Sequence, residues 1–216
     1  MFLLDDTIVY SASDLSAAAT CEFALLRRLD ATLGLAGAGS ATMSVDDDPP
    51  MLKRTSSLGD AHEHRRLEQF RAEYGDGVVT MDRPEYTAVG LFEANLATVE
   101  AIRGGADVVY QGTFFDGRFL GFCDFLVRDG DTYAVYDTKL SRHAKVSALL
   151  QLAAYAEALA DNGIPTSPDV HLLLGDDSDS AHSLGDIVPV YSARRSSLER
   201  ILDEHRDEQS LAEWGG

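Results

Sequence analysis

Three short stretches hold the residues whose types and spacing could do chemistry: Gly121-Phe122-Cys123-Asp124, Tyr136-Asp137-Thr138-Lys139 and Gln151-Leu152-Ala153-Ala154-Tyr155. In an extended strand, residues two apart point to one face, so Asp137 and Lys139 share a face. Asp124 joins them if the preceding strand pairs in register. Two carboxylates brought to one point repel, and one takes up a proton unless a cation lies between them. Mg²⁺ or Mn²⁺ would answer that need, because hard oxygen donors favour these ions over zinc. A lysine on the same face could then orient water and neutralise charge developing on a phosphate. Singly, each acid would be a surface or turn residue. Together they sit among apolar neighbours, Asp124 beside Phe122, Phe125 and Leu126 and Asp137 after Tyr133-Ala134-Val135-Tyr136, where burial is costly without a partner. Gln151 and Tyr155 are one helical turn apart and share a face, where core packing of Tyr155 with Leu152 and Leu159 is the plain alternative.

The elements that must position these residues follow from periodicity. From Ser11, small polar residues precede Leu15, Ala18, Ala19, Phe23, Leu26 and Leu29 at helical spacing, which predicts one helix to about Asp30. Gly34, Gly37, Gly39, three aspartates at 46–48 and Pro49-Pro50 predict a mobile loop over about 34–56. Helices are expected from near Ser57 to Tyr74 and from about Pro84 to Arg103, the second ended by Gly104-Gly105. Val108 to Phe115 is β-branched and aromatic, and Asp116-Gly117 is a two-residue hairpin signal. With returning strands at Arg118 to Val127 and Tyr133 to Lys139, a three-strand antiparallel meander results. A helix from about Lys145 to Asp161 follows, then strands at Val170 to Leu174 and Ile187 to Tyr191 around an acidic loop, and a last helix from near Arg194. The expected class is α/β, one domain over 1–216, mainly helical over 1–105 with a mixed-sheet core over 106–216.

The 216 residues are 45% hydrophobic, enough for a sizeable core, and carry a formal charge of −18. That balance argues against coating nucleic acid or an anionic membrane through bulk charge. It leaves room for a local basic groove: Lys53 to Arg71 has five basic residues against three acidic, and Asp137 to Tyr155 three against one. The excess acid lies in the first 48 residues and in Asp176 to Asp186. Two cysteines, Cys21 and Cys123, exclude a disulfide-dense scaffold and a four-cysteine metal site built from this chain alone. Met1-Phe2-Leu3-Leu4-Asp5-Asp6 lacks a basic leader and no apolar run nears about 18 residues, so a soluble cytoplasmic protein is expected. His62-Glu63 opens like a zinc-protease helix, but position 66 is arginine, and neither glycine-rich phosphate loop is present.

Taken in order, Gly59-Asp60-Ala61-His62-Glu63 on a helix, Gly121-x-x-Asp124, Asp137-x-Lys139 at a strand end and Gln151-x-x-x-Tyr155 on the next helix resemble the RecB-like branch of the PD-(D/E)XK nuclease superfamily. The match spans residues 59–155 and is similar to the N-terminal part of bacterial RecB-like nucleases. The resemblance implies a restriction-endonuclease-like mixed sheet and a Mg²⁺- or Mn²⁺-dependent deoxyribonuclease of DNA repair or recombination. It implies His62 as a metal ligand with Glu63 in support, Asp124 and Asp137 as metal carboxylates, and the Thr138 carbonyl completing the shell. Lys139 would position the attacking water, with Gln151 and Tyr155 near the DNA phosphate. Implied partners are single-stranded DNA or duplex ends, and a helicase or further nuclease region of a longer parent. Many members also hold an iron–sulfur cluster through one early and three late cysteines. Cys21 resembles the early one, and the late three would have to lie beyond this chain. Cys123 is expected to be a packed strand residue pointing away from the site. A non-catalytic DNA-binding or assembly module would use the same residues, and nothing here reads a 2′-hydroxyl to separate DNA from RNA.

Overall fold

Asp5 and Asp6 both take left-handed backbone, at φ 46° and 62°, and fold the first residues into a hairpin of β1 (Phe2–Leu4) and β2 (Thr7–Val9). A computed structural model describes residues 1–35, 50–208 and 210–212, with backbone alone over 50–55. The single helix expected from Ser11 is two, α1 (Ala12–Thr20) and α2 (Glu22–Leu33). Cys21 between them is extended, at φ −158° and ψ 103°, and so ends one helix and begins the other. Asp14 fastens the start of α1 by accepting from the backbone N–H and hydroxyl of Ser11, both at 3.0 Å. Gly34 closes α2 at φ 67°.

The loop expected over 34–56 falls in part on residues 36–49, outside those described, and its last residues are helical. Helix α3 (Pro50–Tyr74) begins earlier than expected, with a proline as its first residue, where the missing N–H costs nothing. A 3-10 turn at Gly75–Gly77 leads to β3 (Val78–Thr80), a strand too short to announce itself. Helix α4 (Ala88–Arg103) starts after Thr87, whose hydroxyl accepts from the Gly90 N–H at 3.0 Å. The meander follows as β4 (Val108–Phe115), β5 (Leu120–Asp129) and β6 (Thr132–Lys139). Its first turn has four residues rather than two, because the Asp116 carboxylate accepts from the N–H groups of both Arg118 and Phe119.

Helix α5 (Val146–Asp161) crosses from β6 to β7 (Asp169–Leu174), which lies parallel to it. Beyond β7 the expectation is corrected. The next strand, β8 (Asp179–Ser183), lies in the stretch read as an acidic loop, and Ile187 to Tyr191 is part of helix α6 (Leu184–Glu208). The buried residues Ile187, Tyr191, Leu198, Ile201 and Leu202 fall at helical spacing, and that packing overrides the strand-like Val188-Pro189-Val190. Strand β8 alternates exposed and half-buried residues and is polar except for Ala181.

The sheet order is β3-β4-β5-β6-β7-β8, with β3 parallel to β4, β6 parallel to β7 and the other pairs antiparallel. The chain is thus mixed α/β, a six-stranded sheet with helices on both faces. One face meets α4 and α5, which share a core with α1, α2 and α6 through Leu15, Leu25, Val99, Leu152 and Leu198. The other is covered by α3, whose Leu67 packs with Val108, Phe125, Val127 and Leu173 and whose Phe70 ring lies 5.0 Å from Phe125. Arg195 of α6 pairs with Glu157 of α5, with Glu199 and with Asp116 of the first turn, locking these elements together. Among the described residues no helix is long and apolar enough to cross a membrane.

Gly175, just past β7, donates its N–H to the Ser141 carbonyl at 3.1 Å, and a Cβ there would press on the Leu140 carbonyl. Gly175→Ala is therefore expected to push β7 from the end of β6, at a cost of about 1–3 kcal/mol, seen as a lowered thermal midpoint. Gly59→Ala on α3, where a Cβ meets open space, should leave the midpoint unchanged or raise it.

Candidate active site

Strands β5 and β6 pair from Asp129 with Thr132 up to Phe125 with Tyr136, and there the ladder stops. A side chain takes over from the backbone. The Asp124 Oδ2 accepts from the Thr138 N–H at 2.8 Å and from the Thr138 hydroxyl at 2.7 Å. On the other side of Asp124, the β4–β5 ladder skips the position of Gln111, whose φ is 59°. Left-handed backbone at a glutamine inside a strand is sparsely populated and is held by its surroundings. Its effect is visible at Glu63 of α3. Tyr110 and Gln111 are sequence neighbours that a regular pleat would send to opposite faces, yet both donate to Glu63 Oε1, the phenol at 2.8 Å. On β5 the alternation also breaks, since Cys123 and Leu126, three apart, pack in the same core cluster.

Asp137 lies on β6 with 1% of its surface exposed. Its Oδ2 contacts the Lys139 ammonium, as period-two spacing predicts, and no described residue completes it with a hydrogen bond. Burial, and next the charge of Asp124, push its carboxyl up to about 7 against the opposing pull of Lys139, with Glu63 adding to the rise. Burial and then Asp124 also raise Glu63, while the Tyr110 and Gln111 donors hold it down. Glu63, Asp124 and Asp137 therefore share one electrostatic neighbourhood, although Asp124 bonds to Thr138 instead of lying directly on Asp137.

His62 is placed differently from its neighbour. Its ring is 1% exposed, Nε2 donates to the Leu173 carbonyl at 3.0 Å, and Nδ1 accepts from Arg65 at 3.2 Å. Both ring nitrogens are thus engaged, Nε2 tying α3 to β7 and Nδ1 bonded within α3, and Glu63 is the residue α3 turns toward the aspartates. Thr138 meets the site through its N–H and hydroxyl on Asp124. Tyr155 is buried against Phe114 and Phe119, and its hydroxyl accepts from Gln151 at 2.9 Å. Burial raises the phenol well above its ordinary value. Gly121 passes under that ring, so close that a Cβ would strike it. Cys123 is a packed strand residue, and burial and then the charges of Asp124 and Asp137 raise its thiol. Cys21 is half-buried and unpaired with another cysteine, at the α1–α2 junction. Tyr110 and Gln111 were not among the expected site residues, and the one sequence signal for them is a polar Gln111 followed by Gly112 inside an otherwise β-branched and aromatic strand.

Among the described residues no three His, Cys, Asp or Glu side chains cluster as a ready-made metal cage. No family model matches the chain, and no curated protein matches it either.

Because the native carboxyl of Asp137 titrates at about 7, above its ordinary 3.8, the folded chain binds more protons than the unfolded one between those values. Stability from this group is fully present below that window and falls as pH rises through it. Asp137→Asn should therefore raise the thermal midpoint relative to the unaltered chain at pH 8 in EDTA, with the gap closing by about pH 4. An equal gap at both pH values contradicts the assignment.

Proposed function

We propose that this chain is a divalent-metal-dependent nuclease of the RecB-like kind, with a restriction-endonuclease-like fold, hydrolysing phosphodiester bonds of DNA in repair or recombination. The observation that carries it is the gathering of Glu63, Asp124 and Asp137 with Lys139 at one interruption of the sheet, where burial leaves Asp137 short of compensating charge. The meander β4-β5-β6, the crossover through α5 and the parallel β7 favour the same fold.

The donor set fits the ion. Mg²⁺ is commonly held by one or two carboxylates together with substrate phosphates and waters, and needs no complete protein cage. Asp124 and Asp137 would hold it, Asp137 being buried with the Lys139 ammonium as the one positive charge at its Oδ2 among the described residues. Glu63, held at one oxygen by Tyr110 and Gln111, stands by as the third acid. His62 would have to leave Leu173 or Arg65 to join them. When bound, such a cation supplies positive charge against phosphate oxygens and makes water more acidic.

The side chains then have distinct tasks. Lys139, about one-third exposed, can move from Asp137 to a phosphate oxygen and neutralise the charge that develops there. Thr138 fixes the orientation of Asp124 with two hydrogen bonds, so that this carboxylate needs no rearrangement when substrate arrives. Arg142 and Lys145, exposed between β6 and α5, add positive charge beside an otherwise acidic surface. Few phosphate contacts follow, so binding should be weak and its dependence on salt shallow. No iron–sulfur cluster enters the proposal.

Asp137→Ala and Lys139→Ala are each expected to reduce Mg²⁺- or Mn²⁺-dependent cleavage of labelled oligonucleotides by about 100-fold or more, with the far-ultraviolet circular dichroism unchanged. Cleavage by the unaltered chain that persists in EDTA would falsify the metal dependence. Retained DNA binding with no cleavage of any single-stranded, duplex or forked substrate would replace it with a binding module of a larger assembly.

A further inference from the structure

A second feature lies beside the carboxylates. A cleft of about 400 Å³ opens between the β1–β2 hairpin, the segment before α4 and the start of β5. Five aromatic residues line it, Phe2, Tyr10, Tyr86, Phe122 and Tyr155, and three of them follow one another: Phe2 and Tyr86 have centroids 5.7 Å apart, and Tyr86 and Phe122 6.4 Å apart. Tyr86 is 59% exposed despite both neighbours, so its ring offers a face to whatever enters. The polar side chains of the lining are neutral, comprising Gln151, the Tyr155 hydroxyl and the serine hydroxyls of the α1 entry, and the one charged group, the Met1 ammonium, is held by Asp14 at 2.8 Å. A phosphate finds there only a positive charge already paired. A flat, uncharged heterocycle with donors and acceptors on its edge finds both stacking faces and hydrogen-bonding groups.

The cleft is also joined to the acids. Phe122 lies two residues before Asp124 on β5, about 6–7 Å along a strand, comparable to the span from base to phosphate within one nucleotide. Tyr155, which forms part of the lining, lies within the electrostatic reach of Asp137 and Asp124.

We propose that this cleft seats an unpaired nucleobase of the DNA strand whose phosphate meets Asp124, Asp137 and Lys139. The inference rests on the nuclease reading and deepens it, by making a single-stranded stretch or a frayed end the substrate. A paired base has its edge occupied and its faces stacked, and does not enter such a pocket without leaving the duplex. Stacking on aromatic rings tolerates any base, so the site selects strandedness over sequence.

The test is fluorescence anisotropy with a nuclease-resistant phosphorothioate oligothymidylate and with an abasic strand of the same length and backbone, both in Mg²⁺. The unaltered chain should prefer the base-bearing strand. Tyr86→Ala should weaken that binding by about fivefold or more and leave the abasic affinity unchanged, and Tyr86→Phe should restore the preference. Equal affinity of the unaltered chain for the two strands overturns the proposal. So does Tyr86→Ala together with Phe122→Ala binding the base-bearing strand within about twofold of the unaltered chain. Cleavage of an ordinary oligonucleotide separates the two levels: cleavage without base-dependent binding sinks the cleft alone, and base-dependent binding without cleavage sinks the nuclease reading alone.

Discussion

Asp137 is a carboxylate cut off from water, with two more acids in its electrostatic field and one lysine in contact. Such a group is unstable as an anion unless its surroundings supply positive charge. The surrounding structure can be understood from that constraint. Lys139 is on the same strand at a spacing that puts it on the same face, and its ammonium meets Asp137 there. Asp124 is drawn off to Thr138, where two donors satisfy it, and Glu63 is drawn off to Tyr110 and Gln111. Each acid has been given its own partners, and the three are kept near one another without sharing a proton donor.

Keeping them near requires distortion of the sheet. A regular antiparallel ladder through β4, β5 and β6 would carry backbone hydrogen bonds straight past this level. The ladder is instead interrupted on both sides of Asp124, by the left-handed Gln111 and by the early end of β5–β6 pairing. Helix α3 holds the deformed region from one side, through Glu63 and through His62 on the Leu173 carbonyl. Helix α5 packs on the other, with Tyr155 over Gly121. Strain at one residue is thus maintained by two packed helices, the usual condition for its survival.

Much of this was legible in the sequence, and the parts that were not have physical reasons. The contact of Lys139 with Asp137 follows from the period of a strand alone. The meander, α5 and β7 follow from β-branched runs and helical spacing. The bonding of Asp124 to Thr138 accompanies a break in the sheet at Gln111, for which a polar residue before Gly112 is the one faint sign. The choice between His62 and Glu63 was equally hidden, since neighbours on a helix differ by about 100° in direction and only the packing of α3 decides which one meets the acids. Ile187 to Tyr191 misled because its β-branched residues are outweighed by the apolar stripe of a 25-residue helix. The break at Cys21 escaped because apolar spacing continues across it.

The polar β8 has a consequence for how these molecules meet one another. It forms one rim of the sheet, and β3, with three residues, forms the other. A strand of Asp-Ser-Ala-His-Ser bearing a charged residue, with Asp179 bonded back to His171, offers an incoming chain little apolar surface to bury. The opposite rim is too short to template a long ladder. At high concentration the sheet should therefore resist edge-to-edge growth into ribbons.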